Sequence, residues 1–402
     1  MGNGIESVTS PNDARMSEVD LLVVGGGPGG LAAVTAYRTA GGGGVVVLAT
    51  SEADPPYDRT ALSKTFLRGD GEQADLSLET AQFYADQAIE LRTGVTALAV
   101  DTGDRLVAVD DGSSCRYQAL VLATGSEPAA LPVPGSDRSD VFRLRSFESG
   151  RLLRGAAVAA DTAVVTGSGF IACEVAASLA AAGLSVSLVT DEVAPQAARL
   201  GTDAAERIAG WLRSDGVELS LGSPVVAFGP GRVVLEDAEL RGRLVLMAAG
   251  IAPRIGLAQA AGLMIEDGRV VVDAQMRTSV PSVFAVGDIV LAHNLAAGRA
   301  LAVEHWGDAE AMGSVAGRTA AGGTASWDAV PGFWTDIGGR TLKYAAWGDG
   351  FDEAVLVDGS DGSFVVWYTK NGEYVGVLAY EDDDAYEAGS MLVEDHAPSE
   401  LR

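Results

Sequence analysis

Two short runs in this chain place glycines where a nucleotide phosphate needs them. Gly25, Gly27 and Gly30 in LLVVGGGPGGLAA fill G-x-G-x-x-G, and Gly167, Gly169 and Ala172 in VVTGSGFIACE repeat it with a small residue in third place. In that pattern the first glycine makes the tight turn and the second lets a pyrophosphate approach the backbone. The third lets the helix pack on the strand, and the helix N-terminus faces the phosphates. A lone match is weak, but each run here leaves an apolar strand and enters a helical pattern. Two dinucleotide cradles in one chain imply a relay, in which hydride leaves a diffusible nicotinamide and lands on a tightly held flavin. Spacing alone leaves open which cradle holds which ligand.

An acid should close each cradle near the end of its second strand, where it takes ribose hydroxyls. In the first cradle this is Glu52, with Ser51 beside it. The second cradle's strand ends at Thr190, where an NAD site presents Glu or Asp; Asp191 follows, and Asp191 or Glu192 is within reach of the ribose. No arginine lies in TDEVAPQAA to grip a 2′-phosphate, and the nearest basic residue is Arg199. That favours NADH over NADPH.

These groups need parallel sheets to hold them. The pattern reads strand, glycine turn, helix from Leu31 to Thr39 and then the all-apolar strand VVVL from Val45, a βαβ unit. A helical stretch near Asp75 to Ala88 and alternating strands follow, as far as Gly125. The proline-rich LPVPG marks a crossing to a second βαβ, with strand from Thr162, helix Ile171 to Ala182 and strand Val186 to Thr190. Strands continue to LVLMAAG, Leu244 to Gly250. Strand, turn and strand over Arg269 to Asp288 precede a helix from Ala302 to Thr319. The last block, Val330 to Arg402, alternates strands around KNGE, a hairpin signal. The fold class is therefore α/β, with two Rossmann-like nucleotide-binding domains and a small α+β C-terminal domain. The expected boundaries are 1–18 as a mobile tail, 19–125 with 252–325 as one discontinuous domain, 126–251 as the next and 329–402 as the last.

At 402 residues and 48% hydrophobic, the chain can bury a large core. The first 18 residues lack a basic stretch and an apolar stretch, so they do not read as a secretion signal. No run reaches the ~18 apolar residues needed to span a bilayer, which argues against membrane insertion. The net charge of −27 repels nucleic acid. Its two cysteines, Cys115 and Cys173, form no CxxC and argue against a disulfide framework, a metal site or a redox dithiol. A cytoplasmic protein, monomer or homodimer, is expected.

PYDRTALSKTFL, ALVLATG, GSGFIACE, VFAVGD, EHWGDA and VPGFWTD occur in an order that resembles the FAD-dependent, NADH-linked ferredoxin reductases of Rieske dioxygenase and haem monooxygenase systems. The likeness spans residue 20 to about residue 390. It implies a glutathione-reductase-like fold, FAD on the first cradle and NADH on the second. It also implies that Asp288, after Gly287, holds the ribityl chain. Arg59, Lys64, Val95, Ala123, Thr124, Gly125, Arg145, Trp306 and Trp334 would line the FAD. Pro28 of the first turn and Phe170, Ile171, Asp191 and Gly250 of the second complete the cofactor set. Glu174, placed at the start of the second helix, would pair with Lys64 and orient the nicotinamide; these two are the catalytic residues the resemblance implies. Read without it, Lys64 is a surface charge, Val95 plain core, Asp288 a helix N-cap and Glu174 a first-turn carboxylate favoured by the helix dipole.

Disulfide reductases of this fold carry CxxxxC near the flavin, and this chain does not. The resemblance then implies electrons leaving the flavin singly, for a ferredoxin-type iron–sulfur protein. Two alternatives stand beside it. One is an NADH-dependent flavoenzyme reducing a quinone, metabolite or oxygen, and the other an NADH-responsive scaffold resembling apoptosis-inducing factor. A basic patch including Arg340, Lys343 or Lys370 would favour a ferredoxin. Three features depart from the family: Thr60 and Ala61 replace a proline pair, which should loosen that loop; Thr190 replaces the ribose acid; and Glu381, Asp382, Asp383, Asp384 and Glu387 form an acidic cluster that should repel an acidic ferredoxin.

Overall fold

Strands built only of apolar residues suit a sheet covered on both faces, and the computed structural model, which describes residues 16–399, builds one at each glycine turn. The chain divides into two compact units. The first gathers the chain up to Pro56, Glu79–Gly125 and Pro253–Asp328. Its parallel strands lie in the order Ile89–Arg92, Val46–Ala49, Met16–Val24, Ser114–Leu122, with Val283–Ala285 also paired to the last. Leu21 sits opposite both Val46 and Ala119, and Leu21, Val47, Leu48 and Leu120 have no solvent exposure. A four-stranded sheet, Ile265–Glu266, Arg269–Val272, Val290–Asn294 and Arg299–Leu301, belongs to the same unit.

The helix after the first turn, Pro28–Thr39, opens on proline, whose fixed φ suits a first helical position. Helix Trp306–Ala320 packs against it backbone to backbone. A Cβ on Gly313 would lie 2.1 Å from the Gly29 carbonyl oxygen, and one on Gly317 2.2 Å from that of Ala33. Only glycine permits so close a crossing.

The second unit comprises Tyr57–Leu78, Ser126–Ala252 and the chain from Ala329 onward. Its parallel sheet runs Val217–Ser220, Ser185–Val189, Thr162–Thr166, Leu244–Met247, Val141–Phe142. A five-stranded antiparallel sheet, Gly332–Ile337, Arg340–Ala346, Glu373–Tyr380, Phe364–Lys370, Glu353–Asp358, comes from the C-terminal block. One apolar cluster joins the two sheets: Leu188 and Leu246 from the first, Leu212 from the helix Thr202–Ser214, and Leu342, Tyr344, Tyr368 and Leu378 from the second. The hairpin at KNGE turns through Asn371 at φ 53° and Gly372 at φ 80°, the left-handed pair a two-residue turn requires.

Several local expectations change. Residues 16–18, read as tail, open the strand Met16–Val24 and pair with Ser114–Arg116; the tail expected over 1–15 lies outside the described residues. The stretch near 75–88 is two short helices, Gln73–Leu76 and Ala81–Asp86, because the Thr80 hydroxyl caps the second by accepting the Phe83 amide. The helix expected from Ala302 begins at Trp306, since Arg299–Leu301 is a strand. Residues 57–78 pack within the second unit. Among the described residues no helix is long and apolar enough to cross a membrane.

Candidate functional site

In the first unit the three glycines play distinct parts. A Cβ on Gly25, at φ 126°, would stand 2.0 Å from the Ala123 carbonyl oxygen, and one on Gly30 1.9 Å from that of Gly25. A Cβ on Gly27 would meet nothing within 4 Å. Packing demands the outer two, while the middle position faces open space at the N-terminus of a 12-residue helix whose first turn carries no acid and no side-chain cap. Those amides suit a pyrophosphate.

The second unit repeats the device. A Cβ on Gly167, at φ 121°, would lie 2.2 Å from the Ala248 carbonyl oxygen, whereas Gly169 would meet only the Gln196 amide nitrogen at 4.0 Å. Ala172 is fully buried, and helix Phe170–Ala181 has no acid in its first turn. Phe170 and Ile171 open that helix, Ile171 with its side chain exposed. Glu174 is its fifth residue, beyond the first turn, so dipole compensation does not explain it.

Glu174 is 5% exposed and Lys64 8%, and they form an ion pair at 2.7 Å within the second unit. The same carboxylate oxygen, Oε2, accepts the Ser63 hydroxyl at 2.5 Å, and Oε1 accepts the Thr335 hydroxyl at 2.6 Å. Lys64 Nζ also donates to the Thr60 carbonyl at 2.9 Å. Burying both charges is costly, and the extra hydrogen bonds are what offset the lost hydration. Lys64 is therefore no surface charge.

The model for "Pyridine nucleotide-disulphide oxidoreductase" matches residues 19–313. The chain belongs to that family. It is 32% identical to Apoptosis-inducing factor 3 of Mus musculus over 93% of this chain, but spans only 63% of that relative's length. It is also 32% identical to the benzene 1,2-dioxygenase system ferredoxin–NAD(+) reductase subunit of Pseudomonas putida, covering 86% of this chain and 85% of the relative. Among solved structures, putidaredoxin reductase in its covalent complex with putidaredoxin superposes with TM-score 0.88 at 28% identity, over 95% of this chain and 94% of that one. The ferredoxin reductase of the CYP199A2 system from Rhodopseudomonas palustris gives TM-score 0.88 at 29% identity, over 94% and 95%.

Against this pyridine nucleotide-disulphide oxidoreductase frame, the remaining residues fall by unit. In the first, Ser51 is exposed and Glu52 half-buried, and the Glu52 carbonyl accepts the Gly94 amide at 2.8 Å. Val95, half-buried rather than core, donates its amide to Thr50 at 2.9 Å. Ala123 is buried under Gly25; the Thr124 hydroxyl and Gly125 carbonyl bind the Arg254 backbone, each at 2.8 Å. Gly287 and Asp288 lie buried in the one-turn helix Gly287–Ile289, with Val286 at its N-cap position and Asp288 inside the turn. Trp306 opens its helix half-buried.

In the second unit, Arg59 donates to Tyr57 Oη at 2.9 Å and to the Arg145 carbonyl at 3.3 Å. Trp334 is half exposed, with Lys64 Nζ 5.2 Å from its ring centroid. Gly250 is exposed, as is Asp191. The loop at Thr60 and Ala61 is held, not loosened: Asp58 caps the short helix Arg59–Ser63 and accepts both the amide and the hydroxyl of Thr60. The acidic cluster has a local cause. Asp382 caps helix Asp383–Glu394 and accepts the Ala385 amide at 3.0 Å, with Asp383 and Asp384 in its first turn, where carboxylates are favoured.

Reasoning from sequence missed Ser63 and Thr335 as partners of Glu174. Both lie inside quoted motifs, but a hydroxyl pairing across 161 residues leaves no local trace. The basic groups Arg340, Lys343 and Lys370 are engaged with Asp215, Asp383 and the Asp349 carbonyl. Cys115 and Cys173 are free, buried thiols, and burial pushes the Cys173 thiol up.

Proposed function

We propose that the protein is a flavoprotein oxidoreductase that takes hydride from NADH and passes electrons singly to a ferredoxin-type iron–sulfur protein. The observation that carries this is the doubled cradle: in each unit the outer contact of the turn is locked against a carbonyl while the middle glycine stands open. The FAD-binding domain is then 19–125 with 252–325, less residues 57–78, which pack with the second unit, the NAD-binding domain is 126–251 and the C-terminal domain 329–402. FAD, when bound, would supply the redox chemistry that links a two-electron hydride donor to a one-electron acceptor.

The chain's own residues bind and align. Gly25, Gly27, Pro28 and Gly30 seat the FAD pyrophosphate, Glu52 takes ribose hydroxyls and Asp288 the ribityl chain. Arg59, Arg145, Trp306 and Trp334 hold the FAD. Gly167, Gly169 and the helix from Phe170 seat NADH. Glu174, fixed by Lys64, Ser63 and Thr335, orients the nicotinamide carboxamide. With both cysteines free and buried, no dithiol carries electrons, which suits a reducing cytoplasm. A monomer or homodimer would serve.

The test is anaerobic stopped-flow mixing with NADH and with NADPH, then with a [2Fe-2S] ferredoxin and separately with a quinone. Bleaching of the flavin band by NADH followed by fast reoxidation by ferredoxin supports the proposal. Transfer to the quinone alone moves the function to a small-molecule reductase, and lack of a flavin band overturns the first cradle. The 32% identity to Apoptosis-inducing factor 3 over 93% of the chain favours a second reading, an NADH-responsive scaffold. Very slow reoxidation with NADH-dependent dimerisation would select it.

A further inference from the structure

The second cradle lacks an acid at the end of its strand, and the structure shows where a carboxylate goes instead. Thr190 is 3% exposed, and its hydroxyl accepts the Glu192 amide at 3.1 Å. That turn sends Asp191 out to solvent and brings Glu192 back to the glycine turn. Glu192 Oε1 accepts the hydroxyl of Ser168, the residue between Gly167 and Gly169, and Oε2 accepts the Ala198 amide at 2.7 Å. The backbone of Glu192 is pinned as well, its carbonyl accepting the Gly222 amide at 2.8 Å. Gln196, 5% exposed, closes the loop by donating Nε2 to the Ser168 carbonyl at 3.1 Å.

We propose that Glu192, held by Ser168, is the residue of this chain that accepts the adenosine ribose hydroxyls of NADH and rejects the 2′-phosphate of NADPH. The inference rests on NADH occupying the second cradle. A carboxylate oxygen has two acceptor sites, so each one keeps a site after taking a single protein donor. A fixed negative charge at that position also repels a phosphate directly, which is how a site discriminates by exclusion as well as by attraction. Asp191 is exposed and has neither anchor.

The experiment compares the flavin-loaded full chain with E192Q, E192A and D191N. It reads kcat/KM for flavin reduction by NADH and by NADPH, and NAD+ and NADP+ affinities by calorimetry. The expected result is a fall in the NADH-over-NADPH ratio of roughly 10- to 100-fold in E192Q and E192A, the size of one hydrogen bond to a charged group. The change should appear in KM and in the calorimetric affinities more than in kcat. E192Q keeps the side-chain volume, and the flavin absorbance of each variant reports whether it is folded. An unchanged ratio in both Glu192 variants overturns the assignment, and D191N moving the ratio as far as E192Q hands the role to Asp191. If the unaltered protein is reduced by neither nucleotide and binds neither, the reading of the second cradle fails, and this inference with it.

Discussion

The Thr335 hydroxyl donates to Glu174 Oε1 at 2.6 Å, so a strand of the C-terminal sheet completes the hydrogen bonding of a carboxylate on the second cradle helix. Thr335 is 1% exposed and has no other evident reason to be polar. Valine in its place leaves a buried carboxylate oxygen short of a donor. We expect Thr335→Val to lower stability by about 1–3 kcal/mol and to slow flavin reduction by NADH, with Thr335→Ser restoring both. Urea midpoints and stopped-flow rates check it. A valine variant as stable and as fast as the parent would show that the bond is incidental.

Lys64 and Glu174 should behave as a unit. Lys64→Met strands a buried carboxylate and should cost about 3–5 kcal/mol. Lys64→Met with Glu174→Gln removes both charges. The amide oxygen still accepts one of the Ser63 and Thr335 hydroxyls and the amide NH2 donates to the other, whose hydroxyl turns to accept. The double variant should therefore recover most of that stability without recovering the rate of reduction by NADH. Equal instability in the single and double variants would contradict the pairing.

Substituting the glycines of the first cradle separates packing from binding. Gly25→Ala forces a Cβ against a carbonyl oxygen at 2.0 Å in left-handed backbone and should prevent folding or sharply lower the melting temperature. Gly27 has φ −83° and open space around it, so Gly27→Ala should fold normally and purify with depleted flavin. Absorbance at 450 nm against circular dichroism distinguishes the two. Full flavin content in Gly27→Ala would remove the phosphate from that position.

Alkaline pH should destabilise the protein. Burial pushes the Cys173 thiol up and raises the Tyr344 phenol to about 12. Both folded-state values exceed those of the unfolded chain, ~8.5 for a thiol and ~10 for a phenol. The unfolded state therefore sheds protons that the folded state keeps. Stability is intact below about pH 8.5 and falls as pH climbs above it, by up to about 1.4 kcal/mol per pH unit for each such group. Urea midpoints at pH 7.5, 9 and 10.5 measure this, and a midpoint that rises across the series would refute it. Thiol reagents at neutral pH should leave Cys173 unmodified until the chain is denatured.

The sequence by itself determined both βαβ units, the KNGE hairpin and the two glycine turns, because these are written in local terms: apolar runs for buried strands, glycine where a Cβ would strike a carbonyl, Asn-Gly where φ must be positive. It placed Lys64 and Glu174 together only by family likeness, since nothing in their own neighbourhoods tells a surface lysine from a buried one. The tertiary structure alone decided that Ser63 and Thr335 complete the Glu174 site and that Glu192 rather than Asp191 turns back to Ser168. It also showed the acidic cluster at 381–384 to be a helix start and placed residues 57–78 within the second unit. Each of these is a pairing between distant segments, or a direction taken by a side chain after a turn. Such choices depend on which packing excludes water from the whole unit, and periodicity along one segment does not carry that information.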